Sequence, residues 1–223
     1  MATIKIHKVL RVATAGTVTA TENATIVTSV FAVGDEFLTV DGVLAKLNTD
    51  LAAVVTFAQS EATGVITATP TGSTFDVEWG TVTGAMDYLG YVGDFDEASP
   101  TATTQPVGYW SGQAAVPWNV NPREMHADVV SRRGRTNTVG QYGTKDGTIT
   151  LWGNTAHVDA TFEANMARMY AVVSQWADAH LSIEDSTGYV TSPFFLAEGY
   201  AFEPQLLDKY MVQVDVGVTL CLE

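Results

Sequence analysis

The sequence predicts a β-rich α+β protein: antiparallel sheets or a sandwich, with two amphipathic helices at about residues 41–55 and 159–179. Three observations carry this. The chain ends in strict alternation, with Val212, Val214, Val216, Val218, Leu220 and Leu222 on one parity and Gln213, Asp215, Gly217 and Thr219 on the other, the mark of a half-buried strand. Two windows switch to a period of 3.6, the mark of a helix with one apolar stripe. Charged residues make up only 16% of the 223, well under the roughly 25% of ordinary globular chains, and a neutral surface rich in Thr, Ser, Gly and Ala suits strands and turns.

Taken in order, Thr3 to Val9 alternates as a strand, with Ile4 and Ile6 on one parity and Lys5 and His7 on the other. Short strands follow at 16–20 and 24–31. Val43, Leu44, Leu47, Leu51, Val54 and Val55 form the first helical stripe, with Asp41 placed to cap its N-terminus. The turns SEATG and PTGS then separate 57–59, 65–69 and 74–79 into a meander of strands. Residues 82–89 suit a short helix that Gly90 ends. SPTATTQP, from Ser99 to Pro106, has the composition of an extended connector; it is the candidate boundary between a β-rich module with one helix (1–105) and an antiparallel module with one long helix (106–223), the alternative being a single domain.

In the second part, strands are expected at 124–132 and 138–142 around a turn at 133–137. Lys145-Asp146-Gly147 suggests a hairpin leading into TITLWG. Phe162, Met166, Met169, Tyr170, Val173 and Trp176 form the second helical stripe, with Asp159 as a cap or first-turn acid. The terminal strand needs a neighbour along its edge, since an open edge of that length invites association.

The net charge of -14 is unevenly spread. Between Leu47 and Pro122 stand Asp50, Glu61, Asp76, Glu78, Asp87, Asp94, Asp96 and Glu97, with no Lys or Arg. Such a surface repels phosphates, which argues against specific nucleic-acid binding. The simpler role of this acidity is solubility. A single cysteine, Cys221, provides no internal disulfide. The N-terminus alternates instead of running apolar, unlike a signal peptide, and no window reaches the length of a membrane-spanning helix. An aqueous compartment without export is expected.

Candidate chemistry is sparse. His126-Ala-Asp128 and His157-Val-Asp159 each place two ligand types on one strand face, but no third ligand stands nearby. Asp94, Asp96 and Glu97 offer carboxylates to a hard cation such as calcium without the spacing of a calcium-binding loop. Nucleophile and phosphate-loop motifs are absent; paired carboxylates leave no fixed local signature, so a glycosidase stays open on sequence. No cofactor or metal is expected. Trp79, Tyr109, Trp110 and Trp118, with Trp152, are candidate interface anchors, the alternative being ordinary core. Arg132, Arg133 and Arg135 form the one basic cluster, suited to docking on the acidic stretch of a neighbouring subunit or to a solvated turn.

From Asp41 to Trp110 the chain runs helix, hairpin ending in FDVEW, MDYLGYVGDF, then a Thr/Pro-rich stretch closing on an aromatic pair. This order resembles a module of virion structural proteins of tailed bacteriophages. SRRGRTNTVGQYG, TITLWG, the amphipathic helix and the strand after FEPQLLDKY are similar to minor tail or tail-associated subunits. The resemblance implies a non-enzymatic tail or neck subunit that assembles into a symmetric ring with copies of itself and other virion proteins. It implies a place in the virion after assembly in the host cytoplasm. The alternatives are a capsid decoration protein and a carbohydrate-binding β-sandwich.

Overall fold

The computed structural model describes residues 3–60, 64–72, 75–97, 102–115, 126–131, 134–139, 144–154, 162–177, 179–196, 203–208 and 211–221. The chain opens with β1 (Thr3–Lys8), β2 (Leu10–Arg11), the hairpin β3 (Gly16–Glu22) and β4 (Thr25–Phe31), β5 (Glu36–Phe37) and helix α1 (Val40–Leu51). Next come β6 (Val55–Gln59), β7 (Ile66–Pro70), β8 (Phe75–Glu78), α2 (Thr83–Leu89), β9 (Phe95–Glu97) and β10 (Ala102–Thr104). β11 (Trp110–Ala115), β12 (His126–Ser131), β13 (Gly134–Val139) and β14 (Thr144–Asn154) follow. The chain then forms α3 (Phe162–Ser174), β15 (Leu181–Glu184), β16 (Val190–Leu196), β17 (Glu203–Asp208) and β18 (Met211–Cys221). The protein is therefore α+β and strand-rich, its sheets antiparallel.

Helix α1 is capped two residues earlier than expected, by Thr39 in place of Asp41. Thr39, extended at φ -135°, accepts from the Gly42 amide at 3.1 Å, which satisfies one of the free N–H groups of the first turn. Asp41 lies inside that turn and does not cap it. Val43, Leu44, Leu47 and Leu51 are buried as the stripe predicts, and so are Val54 and Val55, but the helix stops at Leu51. The reason is a side-chain clamp: Asn48 donates to the Phe57 carbonyl and accepts from its amide, both at 2.7 Å. That bidentate bond peels Val55 into β6, where it pairs with Pro70.

α2 ends as the sequence predicts. Gly90 is left-handed at φ 85°, and the amides of Gly90 and Tyr91 close onto the carbonyls of Asp87 and Met86, a glycine-dependent C-cap.

β6 and β7 pair as a hairpin, extended by β10, so part of the expected connector is strand. β8 leaves that meander: it joins β3, giving the order β4-β3-β8-β9. α1 lies over both small sheets, and one apolar cluster from Leu10 to Tyr109 fills the space, including Phe31, Leu47, Phe57, Ile66, Phe75, Val77 and Trp79.

The large sheet runs β14-β11-β1-β15-β16-β18-β17, and β14 also pairs with β18. That extra pairing closes a ring of six strands. β1 from the chain start lies between β11 and β15. β18 has neighbours on both edges, with Met211–Cys221 along β14 and with β16 and β17 sharing the other side; it is no open edge.

Two turn expectations fail for one reason, that strand partners override local turn signals. Asp146-Gly147 makes no hairpin, because β14 runs straight through it against Thr219 and Val218 of β18. The expectation at 133–137 fails too: β13 begins at Gly134, which pairs with Ser131, so residues 134–137 are strand. α3 ends at Ser174, short of the expected 179; of its predicted stripe Met169, Val173 and Trp176 are buried, whereas Tyr170 is 59% exposed and off the core. Trp176, past the helix end, donates its indole N–H to the Gly108 carbonyl at 2.8 Å.

Candidate functional site

Among the described residues, a group of chemistry-bearing side chains gathers where one face of β1 and β15 meets the start of α1. Antiparallel register places Lys5 opposite Glu184 and His7 opposite Ser182, so all four point to one face of the sheet. The His7 ring is fully buried; its Nδ1 accepts from the Val40 amide at 3.2 Å and its Nε2 lies 3.1 Å from the Glu184 carboxylate. Acceptance at Nδ1 fixes the tautomer, so Nε2 carries the proton and donates to Glu184.

Glu184 also receives Lys5 Nζ at 3.2 Å, and Asp41 of α1 stands 3.6 Å from the same amine. Ser182 donates its hydroxyl to the Leu38 carbonyl. Tyr109 packs on the His7 ring at a centroid distance of 5.2 Å.

The electrostatics follow from burial and pairing. Loss of water lowers the His7 pKa to about 4, with Lys5 adding to that and Asp41 opposing it. Burial alone would lower Lys5, but the Glu184 hydrogen bond and charge, with Asp41 behind them, outweigh it and raise its pKa. Burial raises the Tyr109 phenol.

Serine, histidine and a carboxylate thus meet here, as in a nucleophilic triad, but the bonding differs. In a triad the imidazole accepts the serine proton and the carboxylate holds the far nitrogen. Here both nitrogens are already taken, by Val40 and Glu184, and Ser182 gives its proton to a backbone carbonyl. The arrangement is a polar seam joining the large sheet to the Leu38–Asp41 segment.

Beside this seam is a half-open cleft of about 530 Å³, lined by Lys8, Arg11, Asp87, Tyr88, Gln175 and His180 among others. Arg11 is bound to Glu36 at 2.6 Å. The Tyr88 hydroxyl is buried and has no hydrogen-bond partner among the described residues; burial drives its pKa far up, with Asp41 adding to the shift.

The candidate interface residues are placed differently. Trp79, Tyr109 and Trp110 are buried within the chain at 1%, 8% and 9% exposure. Trp79 packs against Tyr91 at 5.3 Å, and Tyr91 stacks on Phe95 at 5.0 Å, so the aromatics of the 87–110 stretch turn largely inward. Trp118, Arg132 and Arg133 lie outside the described residues. Arg135 is in β13 opposite Val130, and Trp152 is in β14 opposite Gln213.

For the carboxylate loop, Asp94 accepts from the Trp79 amide at 2.7 Å, while Asp96 and Glu97 are strand residues opposite Asp76 and Phe75. His126 and Asp128 sit in β12, opposite Val139 and Asn137; His157 and Asp159 lie outside the described residues. Among the described residues, no three His, Cys, Asp or Glu groups converge as a metal site, and no helix is long and apolar enough to cross a membrane.

The seam escaped sequence reasoning because His7 falls on the parity read as wet, and its partner comes 177 positions later. The available signal was the pairing of two ionisable residues, Lys5 and His7, on one face of a strand that opens the chain. No family model, curated protein or solved structure matches this sequence.

Proposed function

We propose that this chain is a structural subunit of a tailed-bacteriophage virion, built into the tail or neck, whose partners are other virion proteins and copies of itself. The observation supporting this most directly is the bonding of the seam. Its histidine and serine, groups that could otherwise serve catalysis, are spent on holding the sheet to the segment that opens α1. The order of motifs from Asp41 to Trp110 and the low charge of the chain agree with an assembly role.

The exposed acids Asp76, Glu78, Asp87 and Asp94 suit the lining of a channel through which nucleic acid passes without sticking. A carbohydrate-binding platform is less well supported. Among the described residues the strongly exposed aromatics, Tyr170 and Tyr189, belong to separate elements, where a sugar site needs coplanar neighbours.

Light scattering of the purified protein with negative-stain imaging tests the reading, alone and with companion virion proteins. Discrete rings or defined oligomers are expected. A protein that stays monomeric in every combination would overturn it.

A further inference from the structure

We infer that β4 is a docking edge for β4 of a second copy, joining two four-stranded sheets into one of eight strands. This rests on the assembly reading above and names the surface and the partner.

β4 is the terminal strand of the order β4-β3-β8-β9, so one row of its backbone N–H and C=O groups has no strand neighbour among the described residues. Proteins ordinarily protect such an edge with charge, proline or a bulge. β4 has none of these. Its sequence TIVTSVF is uncharged in a chain of net charge -14, and its register with β3 is unbroken from Gly16–Phe31 to Glu22–Thr25.

The outward face is apolar where a partner would need it. Ile26 is 66% exposed and Val30 59%; Val27, Ser29 and Phe31 face the core side, where Ser29 holds Asp50 at 2.6 Å.

The spacing selects a second copy over an arbitrary strand. Ile26 and Val30 flank Thr28 symmetrically. An antiparallel pairing centred on Thr28 therefore sets Ile26 opposite Val30 of the second copy, and Val30 opposite its Ile26. Thr28 meets its own equivalent. This yields two apolar cross-strand pairs about a twofold axis. No charge is brought face to face at the junction: β4 has none, Glu22 of β3 is half-buried and pairs with Thr25 within its own sheet, and the exposed acids Asp76 and Glu78 lie on β8, two strands in.

Two measurements test this. Sedimentation equilibrium on the wild type and on Ile26→Lys/Val30→Lys reads the association; the variant places lysines against lysines, and at least about a tenfold weakening is expected. Thr28→Cys in a Cys221→Ser background reads the register. Paired β residues lie about 4.5–5.5 Å apart at Cα, within disulfide range, so mild oxidation should give a covalent dimer. Thr19→Cys, one strand in, should give none.

Association unchanged in the lysine variant, with no Thr28→Cys dimer, would overturn the β4 edge and leave the assembly reading intact. A wild-type monomer at every concentration, again with no crosslink, would overturn the β4 edge as well; the assembly reading would then be decided by imaging with companion proteins.

Discussion

His7 and Glu184 are 177 positions apart in the chain and 3.1 Å apart in space, and the imidazole between them and Val40 is neutral. Protonation would give Nδ1 a hydrogen where it now accepts the Val40 amide, forcing that bond to break.

Burial holds the folded-state pKa of His7 at about 4, against 6.5 for an ordinary histidine. Between those values the unfolded chain binds a proton that the folded chain refuses, so stability falls as the pH drops from 6.5 towards 4. At about 1.4 kcal/mol per pKa unit the loss reaches about 3 kcal/mol at the acid end. Urea unfolding across this window measures it, and His7→Gln should flatten the slope. Equal slopes in both proteins would remove His7 as the cause.

Trp79 distinguishes core from interface. It is 1% exposed and sits among Val77, Tyr91 and other members of the main cluster. Trp79→Ala is expected to cost the monomer about 3–5 kcal/mol. Chemical denaturation in dilute solution, where association is absent, checks this; a loss below about 1 kcal/mol would return Trp79 to the surface.

Gly90 has two reasons to be glycine. Its φ is 85°, and a Cβ there would strike the Gln105 carbonyl oxygen. Gly90→Ala should destabilise by about 2 kcal/mol or more, read as a lowered urea midpoint with unchanged slope. Gly84, in the same helix with open space around its Cβ position, serves as the control: Gly84→Ala should be neutral or stabilising.

The Tyr88 hydroxyl is buried without a partner among the described residues. Removing an unsatisfied group relieves its desolvation cost. Tyr88→Phe is thus expected to leave the melting temperature unchanged or raise it, and a clear drop would reveal a partner for the oxygen.

What the sequence disclosed and what it hid divide by range. The Leu44–Leu51 stripe, the Gly90 cap and the strands β3 and β4, though not their pairing, were legible because each is decided within a few residues. The helix end at Leu51 was not, since the Asn48–Phe57 clamp that sets it is a side-chain bond across a turn. Asp146-Gly147 misled for the opposite reason: a strong local signal lost to an eleven-residue ladder with β18. The polar seam was the least legible feature. Period-2 reasoning assumes one dry face, while β1 has Ile4 and Ile6 buried on one side and His7 buried on the other.

The position of β1 bears on synthesis. It leaves the ribosome well before its flanking partners, β11 and β15, which begin at residues 110 and 181. The small sheets and α1 contain mostly nearby contacts and can consolidate while translation continues, but the large ring cannot shut until the last strand is made. Meanwhile Ile4 and Ile6 wait uncovered, which makes β1 a segment that a chaperone would shield.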